Sequence, residues 1–348
     1  MKDGAKFLGG LCLAGLLLWW VLRGVDPAAL WETVKAASIL GLAVAAVLTV
    51  GHNVFRVWRW QALLEPVRAG IPFRPMFVAV IVGYATTWVV PGRLGEFVRP
   101  ALLSARERIP LGPCLGSVLA DRLLDAATVV VLFVAGIWVS PPPSDAAAYV
   151  AVFRTASMAF VVGLGAFIAV LLAATAYRDS LTPWIERRAG PLRWAGRTLV
   201  SFAEGVSALR SPRLLARVCV LSLAAWLTIA LATWIGVRAV GADISFPAML
   251  AILPLLALGV AVPTPGGAGS YHGAMKFGLM AFGVGEAVAV GTGILMHVVI
   301  TLPVIVLAIV LVWTESLSFK DIVSAGRQVR DLVAGREAGN GRPVEEAS

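Results

Sequence analysis

Apolar residues run along this chain in stretches of membrane length, separated by short polar loops. Unbroken stretches cover 6–22, 36–55, 112–139, 147–177, 213–238 and 286–313. A bilayer core takes about 20 apolar residues of helix, so each predicts a span. Two further apolar regions are cut by Pro-Gly. One runs over 75–90, breaks at Pro91-Gly92 and resumes over 93–103; the other runs over 246–262, breaks at "PTPGG" and resumes over 268–282. Arms of about 11–17 residues reach roughly 17–26 Å at helical rise, short for a crossing. Both regions therefore predict re-entrant hairpins, since irregular backbone at membrane depth is tolerated only inside protein or beside a wet cavity.

Composition supports the membrane reading. Of 348 residues, 59% are hydrophobic and 14% charged, and mean hydropathy is +0.86. A soluble domain carries about a quarter charged residues. The net charge of +9 does not indicate nucleic acid, because the basic residues gather in loops, where they orient spans and attract anionic headgroups. Cys12, Cys114 and Cys219 form no C-x-x-C pair, so neither disulfide, metal nor cofactor is signalled. The N-terminus resembles a signal peptide, but "RGVDPAALW" offers no small-x-small cleavage site and predicts an uncleaved first span.

The 56–74 loop holds Arg56, Arg59, Arg68 and Arg74 against Glu65, and 178–217 holds eight arginines, whereas 140–147 and 239–245 hold only Asp145 and Asp243. Basic loops face the cytoplasm, which predicts a multi-pass cell-membrane protein with both termini inside. The orientations close only if both Pro-Gly regions are re-entrant, from opposite sides. The expected fold is thus all-α: about six full spans plus two re-entrant helical hairpins in an inverted-topology repeat. The N-terminal repeat is 1–140 (hairpin 75–103) and the C-terminal repeat 147–314 (hairpin 246–282). The skeleton P-G-x-x-G recurs at Pro91–Gly95 and Pro265–Gly269. Inverted repeats with broken helices near midplane are typical of transporters. An interfacial helix is expected over 193–209, where Ala195, Leu199, Phe202, Val206 and Leu209 make one stripe, and 315–348 reads as a disordered cytoplasmic tail.

The chemistry sits at these breaks. A helix restarting after Gly92 would present unbonded N–H groups to an anion, with Arg93 and Arg99 adding charge and Glu96 within reach of either. Solvated charges in a cytoplasmic loop are the plainer alternative. Asp121, Arg122 and Asp125 lie inside a span, where ionisable groups must pair or line a cavity. They read as substrate-binding residues or as a structural pair between helices. The second hairpin offers Ser270, Tyr271 and His272, with His297 in the last span, as a proton-handling or phosphate-binding group. Arg56 and Arg59, in "RVWRW", read as headgroup contacts beside an interfacial tryptophan belt, or as plain anchoring.

With "RVWRW" (56–60), "PGRLGEFVRPALL" (91–103), "ADRLLD" (120–125), "PTPGGAGSYHGAM" (263–275), His297 and Pro303, the chain resembles the lysylphosphatidylglycerol synthase transmembrane-region family over about 5–315. The resemblance implies inverted repeats with re-entrant helices. It also implies a link to aminoacylated phospholipids or polyprenyl-phosphate glycolipids moved between leaflets. Relatives often carry Glu where this sequence has His272. The soluble aminoacyl-transfer domain of longer relatives has no counterpart here, so lysyl transfer is not expected. The leading expectation is a flippase for an anionic phosphate-bearing lipid, with membrane lipids as partners. The alternatives are an accessory subunit working with glycolipid or envelope-synthesis proteins and, from "GAGSYHG", an intramembrane hydrolase using Ser270 and His297.

Overall fold

The structure is a computed structural model that describes residues 2–89, 95–143, 211–262 and 264–317, with a few isolated positions elsewhere. These residues form helices α1 (Lys2–Leu22), α2 (Pro27–Ala36), α3 (Ile39–Leu64), α4 (Phe73–Val89), α5 (Gly95–Glu107) and α6 (Leu111–Val139). There follow α7 (Pro212–Ala239), α8 (Phe246–Ala261), a tight turn at Pro265–Gly267, α9 (Ser270–Ala281) and α10 (Glu286–Thr314). No strand occurs among the described residues. Helix starts are written locally. Asp26 Oδ1 accepts from the Ala28 N–H, Ser38 Oγ from Gly41 and Ser245 Oγ from Ala248, each satisfying a first-turn donor.

Among the described residues four helices, α3, α6, α7 and α10, are long and apolar enough to cross a bilayer, and a fifth span results if α1 and α2, bent by 92° at their junction, count as one. The expected span 147–177, the interfacial helix 193–209 and nearly all of the 315–348 tail lie outside the described residues.

Two boundaries differ from the sequence expectation. The helix α2 was not anticipated. The next helix, α3, continues to Leu64 instead of ending near 55, because Arg56 and Arg59 fall on its buried face and are neutralised there. Arg74 likewise belongs to α4, so of the four arginines assigned to the 56–74 loop only Arg68 lies in one.

Both Pro-Gly regions fold as pairs of short helices packed on each other, α4 with α5 and α8 with α9. Lipid tails are as apolar as leucine, so close backbone approach rather than hydrophobic transfer drives such packing. Glycines supply it. A Cβ on Gly95 would lie 1.8 Å from the Gly83 carbonyl oxygen, and one on Gly259 would lie 2.9 Å from the Ser270 carbonyl oxygen. One core gathers Trp60, Leu63, Met76, Val80 and Leu103 around the first hairpin. A second gathers Met249, Ile252, Met275 and Met296 around the other. The two hairpins also touch. Trp88, at the end of α4, lies against the second break, with its carbonyl oxygen and ring within 3.1 and 3.3 Å of where Cβ atoms on Gly266 and Gly267 would sit.

Candidate functional site: an arginine–carboxylate cluster on an apolar cavity

Between the hairpins lies a cavity of about 750 Å³ to which α3 to α10 all contribute. One wall is polar: Thr49, His52, Asn53 and Arg56 from α3, Glu96 from α5, Arg122 and Asp125 from α6. Most of the remaining lining is hydrocarbon, including Val129, Phe133, Leu253, Leu256, Ile300 and Val304. Its volume lies in the usual range of small-molecule sites, about 300–1,000 Å³.

The polar wall is the face of a deeper cluster. Asp121 and Asp125, one turn apart on α6, share Arg59. That guanidinium lies 2.6 Å from Asp121 Oδ1 and 2.8 Å from Asp125 Oδ1, and also donates to Ser222 Oγ at 2.9 Å. Arg99 Nη1 donates to Asp121 Oδ2 at 2.9 Å, while its guanidinium carbon sits 4.0 Å from the Trp60 ring centroid. Arg56 pairs with Asp125, which also accepts from Trp226 Nε1 at 2.9 Å and from Arg122 Nη1 at 3.2 Å. Arg122 reaches Glu96 Oε2 at 3.0 Å. Buried charges are tolerated when paired and hydrogen-bonded in this way.

Burial sorts the cluster into two layers. Arg59, Arg99 and Asp121 are at most 1% exposed and sit behind the wall, whereas Arg56, Arg122, Asp125 and Glu96 face the cavity. Four guanidinium groups (Arg56, Arg59, Arg99, Arg122) meet three carboxylates (Glu96, Asp121, Asp125), leaving one positive charge in excess among the described residues. Arg56 Nε, Arg122 Nε and two nitrogens of Arg99 have no hydrogen-bond acceptor. These nitrogens are buried, so what the cluster offers an anion on its cavity side is the net charge carried by Arg56 and Arg122 there.

His52 holds one of the cavity arginines. Its Nδ1 lies 2.7 Å from the Ala225 carbonyl, which only accepts, so Nδ1 carries the hydrogen and a neutral ring leaves Nε2 to accept from Arg56 Nη1 at 3.4 Å. Tyr84 places its ring 5.2 Å from the Arg56 guanidinium and its hydroxyl 3.4 Å from Arg122 Nη2.

The second break is organised differently. Gly266, Gly267 and Gly269 all have positive φ (63°, 68°, 81°), a conformation L side chains rarely adopt. The Gly267 N–H donates to the Thr264 carbonyl and the Gly269 N–H to His272 Nδ1 at 3.2 Å. Those amides are therefore engaged by the protein itself and not presented to an anion. With Nδ1 accepting, a neutral His272 donates from Nε2 to His297 Nδ1, 3.3 Å away. His297 in turn bonds to the Gly266 backbone. Ser270 Oγ donates to the Gly267 carbonyl at 3.2 Å and pairs with Thr264 Oγ1 at 3.0 Å.

The residues singled out from sequence therefore divide. Glu96, Arg122, Asp125, Arg56 and Tyr271 line the cavity, while Arg59, Arg99 and Asp121 brace it from behind. Ser270, His272 and His297 belong to the second break beside it. Arg93 lies outside the described residues. The structure buries Arg56 and Arg59 at 6% and 0% exposure rather than setting them among headgroups, because each has a carboxylate partner on α6. Tyr84, Ser222, Trp226 and the supporting role of His52 were missed. The sequence trace of Ser222 and Trp226 is one polar pair at i, i+4 in an apolar span.

No match to this chain was found among curated proteins. Residues 7–308 match the family model for the lysylphosphatidylglycerol synthase TM region. With most of its length inside that match, this all-helical, multi-pass membrane chain belongs to the lysylphosphatidylglycerol synthase TM-region family, a family tied to membrane lipid.

Proposed function

We propose that the protein moves an anionic, phosphate-bearing lipid between leaflets. The observation that carries this reading is the cavity's divided chemistry: surplus guanidinium charge in one part of its lining, hydrocarbon over most of the rest. A lipid has the same division, and a headgroup phosphate would supply the missing anion next to Arg56 and Arg122 while its chains run along the α8 and α10 side. In this reading 1–140 and 147–314 are inverted repeats with both termini in the cytoplasm, and the two hairpins are the moving parts. In support, each first arm carries a glycine, Gly83 or Gly259, against the backbone of its return arm, and Trp88 of one hairpin abuts the break of the other. Transport is favoured over hydrolysis because the Ser270 hydroxyl is occupied by Thr264 and the Gly267 carbonyl, with no imidazole bonded to it.

The test is purified protein in proteoliposomes containing a fluorescent phosphatidylglycerol, read by leaflet-selective quenching. Wild type should translocate it faster than empty liposomes, and Arg122→Ala should fall to the empty-liposome rate. Wild type no faster than empty liposomes would overturn the proposal, as would an Arg122→Ala protein as fast as wild type.

A further inference from the structure

Within the cluster, Glu96 and Arg122 stand apart. Their side chains are 21% and 33% exposed to the cavity, against 9% or less for Arg56, Arg59, Arg99, Asp121 and Asp125. Like Arg99 and Asp121 behind them, they join α5 to α6. Glu96 is the second residue of α5, just past the tip of the first hairpin, and Arg122 belongs to α6. Asp121 and Asp125 are each shared among several arginines deep in the fold. Glu96 reaches over to the most open arginine of the set.

A carboxylate and a phosphate bind guanidinium through the same N–H fork. They cannot crowd onto one arginine without like-charge repulsion. Building on the lipid-transport reading, we infer that Glu96 is a resident surrogate for the headgroup: it occupies Arg122 while the cavity is empty, and an incoming anionic headgroup displaces it. Displacement removes the outer of two ion pairs between α5 and α6, leaving the buried Arg99–Asp121 pair behind it, so arrival of the substrate loosens the start of the first hairpin. Because the pair is partly open to solvent, it is weak enough to exchange.

This assignment gives a sign that an ordinary binding or structural residue does not. Removing the competitor while keeping its shape should tighten binding and slow transport together. Calorimetric titration of the detergent-purified full chain with dihexanoyl phosphatidylglycerol reads the first effect, and the proteoliposome assay reads the second. Glu96→Gln should bind about tenfold more tightly than wild type and translocate more slowly. Glu96→Asp, which keeps the competing charge, should stay near wild type. Glu65→Gln removes an equal charge from the exposed pair with Arg217, outside the cavity, and should change neither. Equal or weaker binding by Glu96→Gln would overturn the inference, and so would equal tightening by Glu96→Asp. If wild type binds no probe, or Arg122→Ala binds it as wild type does, the headgroup site itself fails and this inference with it. Arg122-dependent binding with no gain in Glu96→Gln overturns this inference alone.

Discussion

Arg59 and Asp121, both fully buried, lie 2.6 Å apart where α3 crosses α6. Around them, among the described residues, the charges count four guanidiniums to three carboxylates, so deleting either partner has an unequal effect. Arg59→Met leaves three of each. Asp121→Asn leaves four against two, with Arg99 losing its carboxylate partner. Breaking a buried pair costs about 3–5 kcal/mol. Thermal unfolding in detergent should therefore show both variants destabilised, Asp121→Asn the more so. Equal melting temperatures for the two would contradict the charge count.

Much of this site was legible before the fold. Charges at 121, 122 and 125 inside an apolar run must be paired or lining a cavity; all three are paired, and Arg122 and Asp125 also line the cavity. The Pro-Gly breaks announced paired short helices, and the helices are there. What could not be read was which arginine meets which carboxylate. From spacing alone Glu96 can pair with Arg93 or Arg99; Arg93 lies outside the described residues, while Arg99 turns to Asp121 and Glu96 meets Arg122, both partners being on α6. Arg56 and Arg59 looked interfacial because basic residues beside tryptophans usually are. Their burial depends on carboxylates more than sixty residues away, which no local pattern encodes.

Arg122 is only partly buried and is held by two carboxylates, so its removal should hurt function far more than stability. Arg122→Ala should shift stability by no more than about 1 kcal/mol while abolishing translocation. Arg122→Lys keeps the charge but not the fork and should retain partial transport. A melting curve beside the quenching assay separates the two effects. A large loss of stability with transport intact would reverse the assignment.

The contact between Gly83 and Gly95 sets the first hairpin. An Ala at 95 would bring its Cβ to 1.8 Å from the Gly83 oxygen and 2.2 Å from Thr87 Oγ1, so α5 would have to separate from α4. Overpacking of this kind costs about 1–3 kcal/mol and sometimes more. Gly51 in α3 has nothing within 4 Å of where its Cβ would sit, so Gly51→Ala should be neutral or slightly stabilising. Comparable melting temperatures for the two alanine variants would mean that the arms are not held by this contact.

Glu315, just beyond α10, accepts from Arg106 at the end of α5 and from Arg74 at the start of α4, fastening both arms of the first hairpin to the last helix. The hydrogen bond from Arg106, with that from Arg74, holds the Glu315 carboxyl below its ordinary value. The sign follows from proton linkage. A carboxyl with a depressed folded-state value stabilises the fold above its unfolded value, about 4.3, and loses that contribution as pH falls through the folded one. Wild type should therefore melt above Glu315→Gln at pH 7. The gap should narrow as pH drops below the ordinary carboxylate range and close once Glu315 is protonated in the folded protein. Raising salt at neutral pH should narrow it too, since the arginines at this clamp are partly exposed. Differential scanning of both proteins across that range is the measurement, and a gap that stays constant with pH would show that the clamp does not work through charge.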